Sequence, residues 1–87
     1  MPYIKKEDRE QFNVEVTALA RKLYMAAYKP GDLNYCISSI VWSLFDASPS
    51  YTKANELIGV LECVKQEFIR RRLNAYEDEK IAQNGDL

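Results

Sequence analysis

The chain has no histidine. This removes the commonest general base, the commonest metal ligand and the one side chain that titrates near neutrality when unperturbed. Cysteine is almost as scarce. Cys36 and Cys63 form neither a CxxC pair nor a zinc knuckle, and a structural zinc would need about four thiolate or imidazole ligands. Structural zinc, metalloprotease chemistry and Ser-His or Cys-His catalysis are all disfavoured. Long apolar runs are missing too: Ile40-Val41-Trp42 and Leu44-Phe45 are interrupted by Ser43, far short of the ~20 residues that cross a bilayer. The opening Met1–Asp8 has no apolar stretch of the signal-peptide kind. A cytoplasmic, reducing setting with both thiols free is therefore expected.

Charge of one sign is lacking as well. Twelve Lys and Arg stand against 13 Asp and Glu, a formal charge of −1, whereas a dedicated nucleic-acid binder shows a basic excess. Nucleic acid is disfavoured as a partner. No D-x-D-x-D-G calcium loop, P-loop or Rossmann glycine fingerprint occurs. The carboxylates are dispersed: Glu62 and Glu67 fall on different helical faces, and Glu77-Asp78-Glu79 reads as a solvated acidic segment. No cofactor is implied, and the chain is read as a non-enzyme.

What the sequence does have is apolar periodicity with little interruption. Its 87 residues are 47% apolar, with three glycines and three prolines, and this length suits one small domain spanning 1–87. Lys29-Pro30-Gly31-Asp32 and Ser48-Pro49-Ser50 are the internal turn clusters, and Asn84-Gly85-Asp86 closes the chain. They predict helices over about 5–27, 33–45 and 51–73, the last extending toward 82. Asp32 is expected to cap the second helix, and Ser48 with Pro49 to supply the N-cap and first-turn proline of the third. At ~100° per residue, Phe12, Val16, Leu19, Leu23 and Ala27 share one face; so do Leu33, Ile37, Ile40 and Leu44, and so do Leu57, Leu61, Val64 and Phe68. The predicted fold class is all-α: a compact three-helix domain with a long third helix. A domain this small buries only ~60% of its unfolded-chain surface, so assembly into a homo-oligomer is expected to add burial.

Several residues do not fit a simple bundle. Tyr35 and Trp42, seven apart, lie opposite the Leu33–Leu44 stripe. They pack on the first helix or the C-terminal tail, contact another subunit, or stack on a ligand ring. Gly59 sits mid-helix, where it costs ~1 kcal/mol relative to Ala, with Cys63 one turn later; this small ridge favours close approach of another helix over a merely tolerated solvent face. Ile58 and Ile69 widen the apolar surface, so Trp42, Ile58, Gly59 and Cys63 are the candidate interface residues. Cys63 has no histidine to activate it and reads as a small hydrophobe.

Arg70-Arg71-Arg72 is the main candidate for ligand chemistry. Successive positions fan out by ~100°, so the three cannot grip one flat surface. Arg71 falls about 40° from the extended Leu57–Phe68 stripe, where an unpaired guanidinium is costly to bury. Either Glu67 at i−4 pairs with it, or an anion does, since the guanidinium fork suits phosphate. Lys65 and Tyr76 could add a second charge and a stacking ring.

The opening Met1-Pro2-Tyr3-Ile4-Lys5, the Gly31-Asp32-Leu33-Asn34-Tyr35 turn, Ile58-Gly59-Val60-Leu61-Glu62-Cys63-Val64-Lys65, Glu67-Phe68 with Arg70-Arg71, and Tyr76-Glu77-Asp78-Glu79-Lys80-Ile81 before Asn84-Gly85-Asp86 together resemble a small protein family of bacteriophages and prophage-bearing bacteria, itself a domain of unknown function. Where that pattern has Tyr-Arg-Arg and Pro-Tyr-Glu-Asp, this chain has Ile69-Arg70-Arg71 and Ala75-Tyr76-Glu77-Asp78, so one ring and a proline break are absent. The resemblance implies phage origin and action in the host bacterial cytoplasm by binding. By analogy with compact helical phage oligomers, it suggests an anti-defence sponge that sequesters a cyclic nucleotide or related adenine-containing messenger. Arg70, Arg71 and Lys65 would then meet phosphates, and Tyr3, Tyr35 or Tyr76 would stack on bases. The alternative is a protein-interaction inhibitor or phage assembly adaptor using Tyr35, Trp42 and Ile58.

Overall fold

A computed structural model describes residues 4–87. It is all-helical, with no strand among the described residues. The elements are α1 (Lys6–Met25), α2 (Pro30–Ala47), α3 (Tyr51–Phe68), a π-helical turn (Ile69–Leu73) and α4 (Asn74–Asn84). They fall into two units, the first running to Ala47 and the second comprising Ser48–Leu87.

In the first unit, α1 stops two residues short of the expected 27. The Tyr28 N–H bonds the Leu23 carbonyl (3.1 Å) and the Ala27 N–H bonds the Tyr24 carbonyl (3.1 Å), the pattern that ends helices through a left-handed residue. Here that residue is Ala27, at φ 50, rather than a glycine. α2 begins at Pro30, three residues before the expected start. Proline needs no amide partner at the first helical position and its φ is preset for the helix. Asp32 does act in the cap, from inside the first turn: its Oδ2 accepts the Lys29 N–H at 2.9 Å.

In the second unit the cap of α3 is Ser50, which corrects the expectation of Ser48 with Pro49. Ser50 is extended (φ −166, ψ 161), its Oγ accepts the Lys53 N–H at 2.9 Å and its carbonyl accepts the Ala54 N–H at 3.0 Å. From Tyr51 the chain stays helical to Asn84, and Gly85 (φ 88) closes it with its N–H on the Ile81 carbonyl at 2.8 Å. At ~1.5 Å per residue this is a rod of about 50 Å.

The rod is interrupted in pitch at the arginine run. The Asn74 N–H bonds the Ile69 carbonyl, five residues back, so this turn holds one residue more than an α-turn and everything beyond it lags by roughly 100°. Without the lag, Tyr76 would lie about 90° from the Leu57–Phe68 stripe; with it, Tyr76 continues the stripe and Leu73 flanks it. Arg71, inside the turn, is carried away from the apolar meridian. Its side chain is 63% exposed.

None of the described residues is buried. Leu33, Ile37, Ile40 and Leu44 on α2, and Leu61, Val64 and Phe68 on α3, keep large exposed areas, while Leu23, Val41, Phe45 and Leu57 are half-buried.

Candidate functional site

Two surfaces carry the residues singled out by the sequence. On α2, Tyr35 and Trp42 stand on one face, 72% and 61% exposed. With Pro30, Gly31, Asn34 and Ser38 they line an open recess of about 480 Å³. Its floor is small because serine stands between the two rings and glycine one turn before the first of them. Ser38 Oγ donates to Asn34 Oδ1 at 3.1 Å, which ties the polar groups of the floor to each other. Sequence reasoning found the ring pair but not the recess; the signal was the spacing of Gly31, Tyr35, Ser38 and Trp42 by 4, 3 and 4.

The second surface surrounds the π-helical turn. Arg71 Nη1 lies 3.8 Å from Glu67 Oε2, an ion pair longer than a hydrogen bond, and that oxygen is shielded from solvent without accepting one. Glu67, Phe68, Arg71 and Arg72 line a recess of about 420 Å³. Lys65 is held one turn earlier, its Nζ 3.5 Å from Glu62 Oε1. Gln66 Nε2 donates to the same oxygen at 3.0 Å. The Gln66 hydrogen bond, and then the Lys65 charge, hold the Glu62 carboxyl below its ordinary range. The Tyr76 ring is paired with Lys80, whose Nζ is 5.5 Å from the centroid.

Tyr35 and Trp42 are thus brought together, and Arg71 is brought beside Arg72 and Phe68. Lys65 and Tyr76 are instead engaged by their own helical neighbours. Ile58 is 65% exposed, a β-carbon added at Gly59 would meet nothing within 4 Å, and Cys63 is a half-buried free thiol. Tyr3 lies outside the described residues. Among the described residues no group of three His, Cys, Asp or Glu side chains could hold a metal, and no helix is long and apolar enough to cross a membrane.

Over residues 1–87 the chain matches the family described as Domain of unknown function (DUF6899). The chain belongs to that family. Neither a curated protein nor a solved structure matches it significantly. Membership in DUF6899 agrees with the resemblance to a domain of unknown function and carries no activity with it, so functional argument rests on the surfaces.

Proposed function

We propose that this DUF6899 protein acts without catalysis, as a homo-oligomeric helical binding protein that serves as an interaction inhibitor or assembly adaptor. The carrying observation is the composition of α2. No residue from Leu33 to Phe45 is charged, and a helix without a charged face is characteristically an interior one. Yet α2 carries an aliphatic stripe on one side and the exposed Tyr35–Trp42 pair on the opposite side. A bundle neighbour buries a stripe about 100° wide, so one side calls for a further protein surface. Light scattering across micromolar concentrations tests the self-assembly: two or more copies of the 10.1 kDa chain are expected, and a clean monomer refutes it. A pull-down from host lysate tests for a stoichiometric protein target.

A second reading is favoured by Arg71 and Arg72 bordering one recess with Phe68. In it, the oligomer is a phage-encoded anti-defence sponge in the host cytoplasm, and the arginines hold the phosphates of a cyclic nucleotide while Tyr76 or Tyr35 stacks on its bases. The Glu67 carboxylate in that recess opposes an anion, which places this reading second. Native mass spectrometry of freshly purified protein, followed by titration with cyclic dinucleotides, cyclic oligonucleotides and cyclic ADP-ribose isomers, tests it; no retained or added nucleotide binding refutes it.

A further inference from the structure

Along the aromatic face of α2, residue size alternates: Gly31, Tyr35, Ser38, Trp42. At ~100° per residue these four fall within about 60° of one another, on a single line along the helix. In an antiparallel pair of α2 helices related by a two-fold axis passing between Cys36 and Ile37, each residue faces the one as far beyond the axis as it lies before it. Tyr35 then faces Ser38 of the second copy, and Trp42 faces Gly31. Every ring meets a small residue. A parallel pair would set ring against ring and leave gaps over Gly31 and Ser38.

We propose that the recess lined by Gly31, Asn34, Tyr35, Ser38 and Trp42 is filled by the same face of a second copy, with the α2 helices antiparallel. This deepens the self-assembly reading and rests on it. A two-fold contact requires a self-complementary patch in which residue i meets j and j meets i, and the large–small alternation meets that condition without any charge to oppose it. The space over Gly31 is open, since an added β-carbon there touches nothing within 4 Å. Asp46, at the C-terminal end of α2, where its charge opposes its own helix dipole, is set near the positive N-terminal end of the partner helix by the antiparallel arrangement alone.

The area is also informative. Rings bury ~150–250 Å² each; with 72% of Tyr35 and 61% of Trp42 still exposed, the four rings alone cover roughly 400–650 Å² in total, below the ~1,200–2,000 Å² of stable interfaces. A weak, concentration-dependent dimer is expected.

The experiment is sedimentation equilibrium of the full chain and three variants, with circular dichroism to confirm equal helicity. Tyr35→Ser leaves small against small, and Ser38→Tyr sets ring against ring; each is expected to weaken the dimer about tenfold or more. The double variant, Tyr35→Ser with Ser38→Tyr, restores ring against small and is expected to return to within about threefold of the parent, since residues in contact are energetically coupled. A double variant no better than either single one overturns the antiparallel α2 pairing, as does a parent assembly indifferent to all three changes, and both results leave self-assembly standing. A monomeric parent overturns both readings.

Discussion

The left-handed alanine that ends α1 gives the sharpest stability prediction. Ala27 has φ 50, where a β-carbon crowds the following carbonyl at a cost of ~1–2 kcal/mol. Ala27→Gly removes that crowding and keeps the two closing hydrogen bonds, from Ala27 to Tyr24 and from Tyr28 to Leu23. Against this gain stands the greater freedom of glycine in the unfolded chain, ~0.4–1 kcal/mol. The net effect is a stabilisation of about 0.5–1 kcal/mol, or an increase in Tm of about 2–8 °C for a chain of this length. The neighbouring residue supplies the control: Ala26 has φ −85, a conformation open to any residue, so Ala26→Gly has only the entropic penalty and destabilises by about 0.5–1 kcal/mol. Urea unfolding followed at 222 nm measures both, at one fixed protein concentration because assembly is linked to stability. Opposite signs at adjacent alanines are expected; a neutral or destabilising Ala27→Gly refutes the argument.

The second unit offers three more tests. Ser50→Ala removes the oxygen that accepts the Lys53 N–H and should cost about 1 kcal/mol in urea unfolding, whereas Ser48→Ala should change nothing measurable. Glu62 should titrate below the ordinary glutamate range in a carboxyl NMR titration, and Gln66→Ala should move it back up, because the Gln66 hydrogen bond is the leading cause of the lowering. A depressed carboxyl pKa adds stability at pH values above the ordinary range, and that increment disappears as pH falls through the lowered value. Deleting Arg70 should let the turn at 69–73 close as α-helix, leaving the 222 nm signal unchanged and slowing amide hydrogen exchange around it; unchanged exchange would count against the extra residue as the reason for the altered pitch.

The helical class and approximate extents were legible because apolar periodicity depends on many residues at once. The ends were less legible because each depends on one or two. Ser48 and Ser50 are chemically identical caps, and only the extended backbone at Ser50 selects it. Pro30 is both a turn residue and a good first helical residue, and it serves as the latter. The end of α1 carries no glycine to announce it, since Ala27 takes the left-handed position in its place. At the candidate surfaces the rings and arginines were visible as residue types, but the floor of the α2 recess was not, because glycine and serine attract attention only when the large residues around them are placed on the same line.

The π-helical turn shows how a misfit in a sequence can carry structural information. On a regular helix the stripe Leu57, Leu61, Val64, Phe68 would continue to Arg71 and Ala75, which puts a guanidinium near the meridian and Tyr76 about 90° away. That misfit has two remedies. A partner can neutralise Arg71 in place, or the helix can change pitch before reaching it. The chain uses the second and keeps part of the first. One extra residue between Ile69 and Asn74 moves Arg71 off the stripe while its i−4 pairing with Glu67 is kept, and brings Tyr76 into line with Phe68. A partner lying along α3 therefore meets a ring one turn past the arginines instead of the aliphatic gap that Ala75 would leave. The same residue insertion that relieves the apolar stripe of a charge also extends that stripe with a ring.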